Sequence, residues 1–372
     1  MANIMDYIQW RGDLTFSQAP LNPVDALIFS ALAYVHYAGQ TEAEPDSALT
    51  LKQAGEDLFA REDYETRARV KNDLILLRTA MESVRFGQSL IWMYRNQFST
   101  EEQTQFAAMT FRLDDGSLFL AFRGTDNTLV GWKEDFNMTF QQTIPAQRLA
   151  LQYARDVALA DFGPLWLGGH SKGGNLAVFA AARSSPEVQQ RIVGVFNNDG
   201  PGFTQYMMGD PGYLAMVPKI RTFIPQSSVI GMMLEHEEPY TVIRSKTVGL
   251  LQHDPYSWEV MGVNFVDGEE ITETSQFVDA TLKNRFAAMT NQERNQLVDV
   301  MYTLLSSADV ERAADIFHPR NLHIYLKALS EDEQLRKFLS TEFMGFVDAA
   351  WKARAKLEQQ RKDEKLLEET EA

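Results

Sequence analysis

The apolar positions along this 372-residue chain change their spacing twice. Up to about residue 100 the pattern reads as mostly helical. Asn22-Pro23-Val24-Asp25 opens an apolar helix predicted to run through Tyr37, with the asparagine as cap and the proline in the first turn. Residues 42–72 are charged and rich in Ala and Leu, which predicts a surface helical excursion. Short apolar runs then take over. Phe106–Leu113 and Ser117–Arg123, joined by Asp114-Asp115-Gly116, predict a hairpin. Pro145–Ala160 predicts an amphipathic helix. Pro164–Leu167, Arg191–Phe196, Lys219–Ile224 and Tyr240–Lys246 predict buried strands. Strands separated by helical segments imply a mostly parallel sheet with helices on its faces. From about Glu270 the strand signals stop and a helical pattern runs to the end. Trp351–Ala372 there carries mixed-sign charge expected on a solvated face. No internal repeat is visible. The expected organisation is one α/β domain over residues 1–268 and a helical extension over 269–372.

One strand-to-helix junction carries chemistry. The strand ending near Leu167 runs into Gly168-Gly169-His170-Ser171-Lys172-Gly173-Gly174, and Leu176–Ala182 leads out as an apolar, alanine-rich helix. Glycines two before and two after Ser171 permit a strained turn and a close helix–strand approach, the G-x-S-x-G pattern of an α/β-hydrolase nucleophile elbow. The letters alone are weak, because a Gly-rich βα turn that merely closes a unit has the same spelling. The flanking strand and helix add the specificity.

A serine hydroxyl is a poor nucleophile at neutral pH. It needs a base, a group that orients the base, and donors for the oxyanion. In this fold they follow in the chain order serine, acid, histidine. Of the six histidines, His253 follows a strand-like run and sits in a turn, which favours it as base, with His236 as the alternative. His36 precedes the serine in an apolar helix, and His318 and His323 fall in the C-terminal helical region. His170 lies in the turn itself, where its ring is expected to point away from the reaction centre of its neighbour. For the acid, Asp199 ends a strand in a tight Asn-Asp-Gly-Pro-Gly loop at the edge where a site forms. A loop-capping role competes, and a carboxylate elsewhere stays open; Asp254 is too close to His253 in sequence, and Asp210 and Glu235 are outlying. Oxyanion donors are expected from the backbone N–H of Lys172 and of Thr125, which follows the strand ending in Phe122-Arg123-Gly124. Arg123 is expected to pair with an acid such as Asp135.

Charge and cysteine content narrow the partners. The net charge of −16 repels phosphates and argues against nucleic acid. There is no cysteine, hence no thiolate nucleophile, disulfide or Cys-based metal site. Neither a cofactor nor a metal is expected. Met1–Tyr7 lacks a basic region followed by an apolar core, so no signal peptide is expected, and Ala26–Ala38 is too short and mixed to span a bilayer. A cytoplasmic location is the simplest expectation.

Taken together, Phe122-Arg123-Gly124-Thr125 followed by Trp132 and Asp135, and Gly169-His170-Ser171-Lys172-Gly173-Gly174, resemble the class 3 lipase patterns F-R-G-[ST]…W…D and G-H-S-x-G-G. The chain most resembles a bacterial lipase-like α/β-hydrolase family of unknown function, which carries H-S-K-G-G-N, N-x-D-G-P-G-F and Q-H-D-P-x-S-W. Here these stand at His170–Asn175, Asn197–Phe203 and Gln252–Trp258, and the resemblance spans roughly residues 25–265. It departs from true class 3 lipases at Lys172 and Asn175. It departs again where those lipases place their acid, since Phe223–Ile230 holds no carboxylate. The resemblance implies a serine hydrolase for a carboxylic ester, lipid-like or small, with Ser171, His253 and Asp199 as triad. A thioesterase or amidase would use the same parts. A non-catalytic binding or scaffold protein on the same fold is the competing expectation.

Overall fold

A computed structural model of the chain describes residues 1–37, 48–126, 128–306, 324, 327 and 333–371. His318, His323 and residues 42–47 of the expected helical excursion lie outside the described residues. Two compact units emerge, Met1–Asp126 with Val130–Glu270, and Asn127–Leu129 with Ile271–Ala372.

The first unit opens with helices α1 (Ile4–Arg11), α2 (Pro23–Leu32), α3 (Leu51–Phe59), α4 (Lys71–Glu82) and α5 (Val84–Gly87). Asn22 caps α2 as expected. Its side chain accepts from the Val24 and Asp25 N–H groups, and Asp25 returns the bond to the Asn22 N–H. The helix stops at Leu32, not Tyr37, so Tyr34 and His36 lie in the turn beyond it.

Among the described residues eight strands form one sheet in sequential order, β1 (Leu49–Thr50), β2 (Leu90–Ser99), β3 (Thr104–Arg112), β4 (Leu118–Phe122), β5 (Leu165–His170), β6 (Ile192–Asn198), β7 (Ile220–Pro225) and β8 (Tyr240–Ile243). Strands β1 to β4 pair antiparallel, and β4 to β8 parallel. Strand β2 departs from the helical expectation for the first hundred residues. Its register shifts between Trp92 and Arg95, with Met93 at φ +52°. A bulge swaps the faces of the residues beyond it and erases the period-two signal. Helices α6 (Leu129–Asn137), α7 (Pro145–Ala160), α8 (Lys172–Arg183), α9 (Pro186–Arg191) and α10 (Pro211–Met216) fill the connections. A short pair, β9 (Val260–Met261) and β10 (Asn264–Phe265), follows.

Strand β4 is buried on both faces, as a central strand covered by helices must be. Phe119 and Ala121 join the core built with α1, α2 and α4. Leu118, Leu120 and Phe122 join the core built with α7 and α8. Helix α7 supplies Ala146, Ala150, Tyr153, Ala154 and Val157 at helical spacing, which lets it lie close to the sheet.

The second unit contains α11 (Glu273–Ala287), α12 (Asn291–Ser306) and α13 (Glu333–Glu371). Arg285 of α11 pairs with Glu342 of α13, and Phe286 meets Phe346 edge to face. Among the described residues no helix is long and apolar enough to cross a membrane.

The parallel half of the sheet, with a sharp turn from its strand β5 into helix α8, is the α/β-hydrolase arrangement.

Candidate active site

Register builds the site before any side chain is considered. His170 pairs with Asn198, and Asn198 with Phe223, across three parallel strands. Ser171 and Asp199 are therefore each the first residue past the C-terminal ends of neighbouring strands, where open parallel sheets bind ligands. The Ser171 N–H donates to the Asn198 carbonyl at 3.0 Å, and the Asp199 N–H to the Phe223 carbonyl at 2.8 Å.

Ser171 occupies φ +59°, ψ −135°, and Asp199 has φ +52°. Non-glycine residues there cost about 1–3 kcal/mol each, so the surrounding bonds must hold them. Glycine permits the turn. A Cβ on Gly173 would collide with the Phe122 carbonyl oxygen, and one on Gly124 would strike the Tyr34 hydroxyl and the His170 carbonyl oxygen. The Arg123-Gly124-Thr125 segment thus passes directly against the turn that carries Ser171. Lys172 is the first residue of α8, so its backbone N–H has no intrahelical acceptor.

His253 ends a short 3₁₀ turn, Gly249–His253, and its Nδ1 lies 2.6 Å from Asp199 Oδ2. The carboxylate accepts there, so Nδ1 carries the proton and Nε2 is left with a lone pair. Among the described residues neither His253 Nε2 nor the Ser171 hydroxyl has a hydrogen-bond partner. Asp199 is fully buried, whereas the His253 side chain is 28% exposed.

The sequence offered no reason to single out Ser228. Its hydroxyl donates to Asp199 Oδ1 at 2.5 Å and accepts from the Gly231 N–H. It sits in the segment after β7, where a carboxylate was missing; that segment supplies a hydroxyl to the acid one strand earlier. The motif residues around the pair are scaffolding. Asn175 donates to the Pro201 and Gly202 carbonyls and accepts from Gln147. Asn197 accepts from the Gly200 N–H. Gln252 accepts from the Ser227 N–H and donates to the Thr247 carbonyl, and Trp258 Nε1 donates to the Gln252 carbonyl. Asp254 caps the following turn by accepting from the Tyr256 N–H, and Asp210 caps α10 and pairs with Arg183.

On the other side of the turn, Lys172 buries its ammonium. Nζ donates to Gln105 O and Gln105 Oε1, both at 2.9 Å, and to Glu134 Oε2 at 2.8 Å. The Thr125 hydroxyl reaches both oxygens of Asp135, at 2.7 and 2.6 Å. Desolvation lifts the Asp135 carboxyl to about 6, against the pull of Lys172 and Thr125. Arg123 does not pair with Asp135. It reaches Asp126 at 3.6 Å, Asn96, and Nε2 of His36 at 3.0 Å, because the end of β4 points its side chain toward the α2 turn. His236 joins neither Asp199 nor Ser171; it lies between Glu238, at 3.2 Å, and the Gly231 carbonyl, at 2.9 Å. Among the described residues no group of His, Asp and Glu side chains could hold a metal ion.

The fold and the strained serine turn define an α/β-hydrolase-fold protein. Residues 80–303 match the model of the Mbeg1-like family, and the chain belongs to that family. No curated protein matches the chain. Among solved structures it is similar to a mutant of MDLA from Penicillium cyclopium, at 15% identity and TM-score 0.38, covering 66% of this chain and 85% of that one. It is similar also to lipase II from Rhizopus niveus, at 14% identity and TM-score 0.35 over 54% of this chain and 83% of that one. Rhizomucor miehei lipase, in a propeptide complex, matches at 12% identity and TM-score 0.35 over 65% and 81%.

Proposed function

We propose that this protein is a serine hydrolase acting on a carboxylic ester, small or lipid-like. Ser171 attacks the carbonyl carbon, and its proton passes to Nε2 of His253. Asp199 holds the imidazole in the required tautomer and balances the imidazolium that forms. The backbone N–H groups of Lys172 and Thr125 receive the developing oxyanion. His253 then protonates the leaving alcohol, and water repeats the sequence to release the acid. The observation that carries this reading is the 2.6 Å Asp199–His253 bond at the same sheet edge as the strained Ser171, with Nε2 of the histidine unengaged.

A fluorophosphonate probe tests it. Wild-type protein should be labelled and Ser171→Ala should not. Failure of the folded wild type to label sinks the enzyme reading and leaves a binding protein. A series of p-nitrophenyl esters of increasing acyl length then identifies the acyl group.

A further inference from the structure

His170 precedes the serine and takes no direct part in the proposed chemistry. Its side chain is fully buried. Its Nε2 lies 2.8 Å from the backbone carbonyl oxygen of His253, and its Nδ1 lies 3.0 Å from the Tyr34 hydroxyl. A carbonyl only accepts, so Nε2 carries the proton and Nδ1 accepts from Tyr34. The His170 and His253 rings lie 4.6 Å apart between centroids, tilted by 35°, within the range of offset aromatic contact.

We propose that His170 is a positioning residue for His253, locked in one tautomer by Tyr34, and that it ties the strand end bearing Ser171 to the distant loop bearing the base. The assignment rests on the serine-hydrolase reading. The side chains of Ser171 and His253, 82 residues apart in sequence, must meet within a fraction of an ångström for proton transfer. The covalent neighbour of the serine grips the backbone of the base, so the two cannot drift independently. The surrounding groups keep the link neutral. Burial, then the charge of His253 and of Arg69, hold the His170 imidazole well below its usual range. Burial pushes the Tyr34 phenol up to about 12, so it remains a donor, with Arg69 over its ring at 4.0 Å. Trp258 meets the His170 ring edge-on. When His253 takes the serine proton, the ring beside it therefore adds no competing charge.

The experiment compares wild type with His170→Asn, His170→Gln and Tyr34→Phe in the full chain. Glutamine can place an amide N–H where Nε2–H stands; asparagine is too short. Two readouts are taken: the pH profile of the second-order rate of diisopropyl fluorophosphate inactivation, and the low-field proton resonance of the His253 Nδ1–H to Asp199 bond. The expected result for His170→Asn is a rate lower by roughly tenfold to a hundredfold, with the low-field proton broadened or lost. His170→Gln should restore both most of the way, and Tyr34→Phe should shift both in the same direction but less. If folded His170→Asn keeps either the wild-type profile or the wild-type resonance, the proposal is overturned. Should His170→Asn not fold, Tyr34→Phe carries the same test, and unchanged readouts there overturn it. A wild type that resists the reagent defeats the hydrolase reading alone, and the resonance still decides whether His170 positions His253.

Discussion

Two buried carboxylates flank the Ser171 turn, and each holds a basic nitrogen. Glu134 and Asp199 are both fully buried, at 2.8 Å from Lys172 and 2.6 Å from His253. Their partners differ. Lys172 is 1% exposed and its donors meet Gln105 and Glu134, so the pair is closed. His253 is 28% exposed, with one nitrogen bound and the other open. A buried charge needs every donor satisfied to be tolerated. A base that exchanges protons needs one site left unsatisfied. The same electrostatic unit thus stands closed on one side of the serine, and on the other it has the open nitrogen that the proposed acid–base role requires.

The comparison can be broken at four places, in decreasing order of effect. Asp199→Asn should present the wrong tautomer of His253 and lower turnover by about 10⁴-fold, with Ser171 still in place. A nearly normal turnover number would move the acid elsewhere. Glu134→Gln removes the bonded counter-ion of the buried Lys172, leaving Asp135 at 3.8 Å, and should cost up to about 3–5 kcal/mol of stability in urea unfolding. Its fluorophosphonate rate per folded molecule should fall far less than that of Asp199→Asn, and the reverse ranking would erase the distinction between the two sides. Ser228→Ala removes a hydrogen bond to an ionised, buried group, worth about 1.5–3 kcal/mol, and should appear as a lower turnover number at nearly constant KM. Stability loss without any change in turnover would make Ser228 merely a loop tie.

His36 supplies the smallest effect. Burial, then the neighbouring Arg123, lowers its imidazole to about 4. The unfolded chain takes up a proton below about pH 6.5 while the folded one does not. Stability therefore falls as the pH drops from 6.5 toward 4 and is untouched above. His36→Gln keeps an acceptor for Arg123 and removes this loss. Relative to its effect at pH 7.5, it should stabilise the protein by about 1 kcal/mol at pH 5.5. A difference from wild type that is flat with pH would show that His36 is not held neutral.

Much of the frame was legible because it is local. The asparagine cap of α2, the bounds of α7 at Pro145 and Ala160, and the strand before Ser171 follow from short-range spacing and capping chemistry. Strand β2 was not legible, because its bulge scrambles the alternation that marks a strand. Among site residues, Ser171, Asp199 and His253 were singled out by motif and chain order. Ser228 and Tyr34, which bond Asp199 and His170, and Glu134 and Gln105, which bond Lys172, carried no such mark; His170 stood in the motif, but its contact with His253 did not show. Arg123 does meet a nearby acid, but Asp126 rather than the Asp135 offered as the example, because ion-pair choice depends on where a strand end points.

The sequence by itself determined that a serine would sit on a tight Gly-lined turn between a buried strand and an alanine-rich helix, since those features depend on residues within a few positions of one another. Only the tertiary structure decided which carboxylate meets which base. Asp199 and His253 are 54 positions apart, and Lys172 and Glu134 are 38 apart. Strand register, set by the burial of whole faces of the sheet, brings each pair within bonding distance.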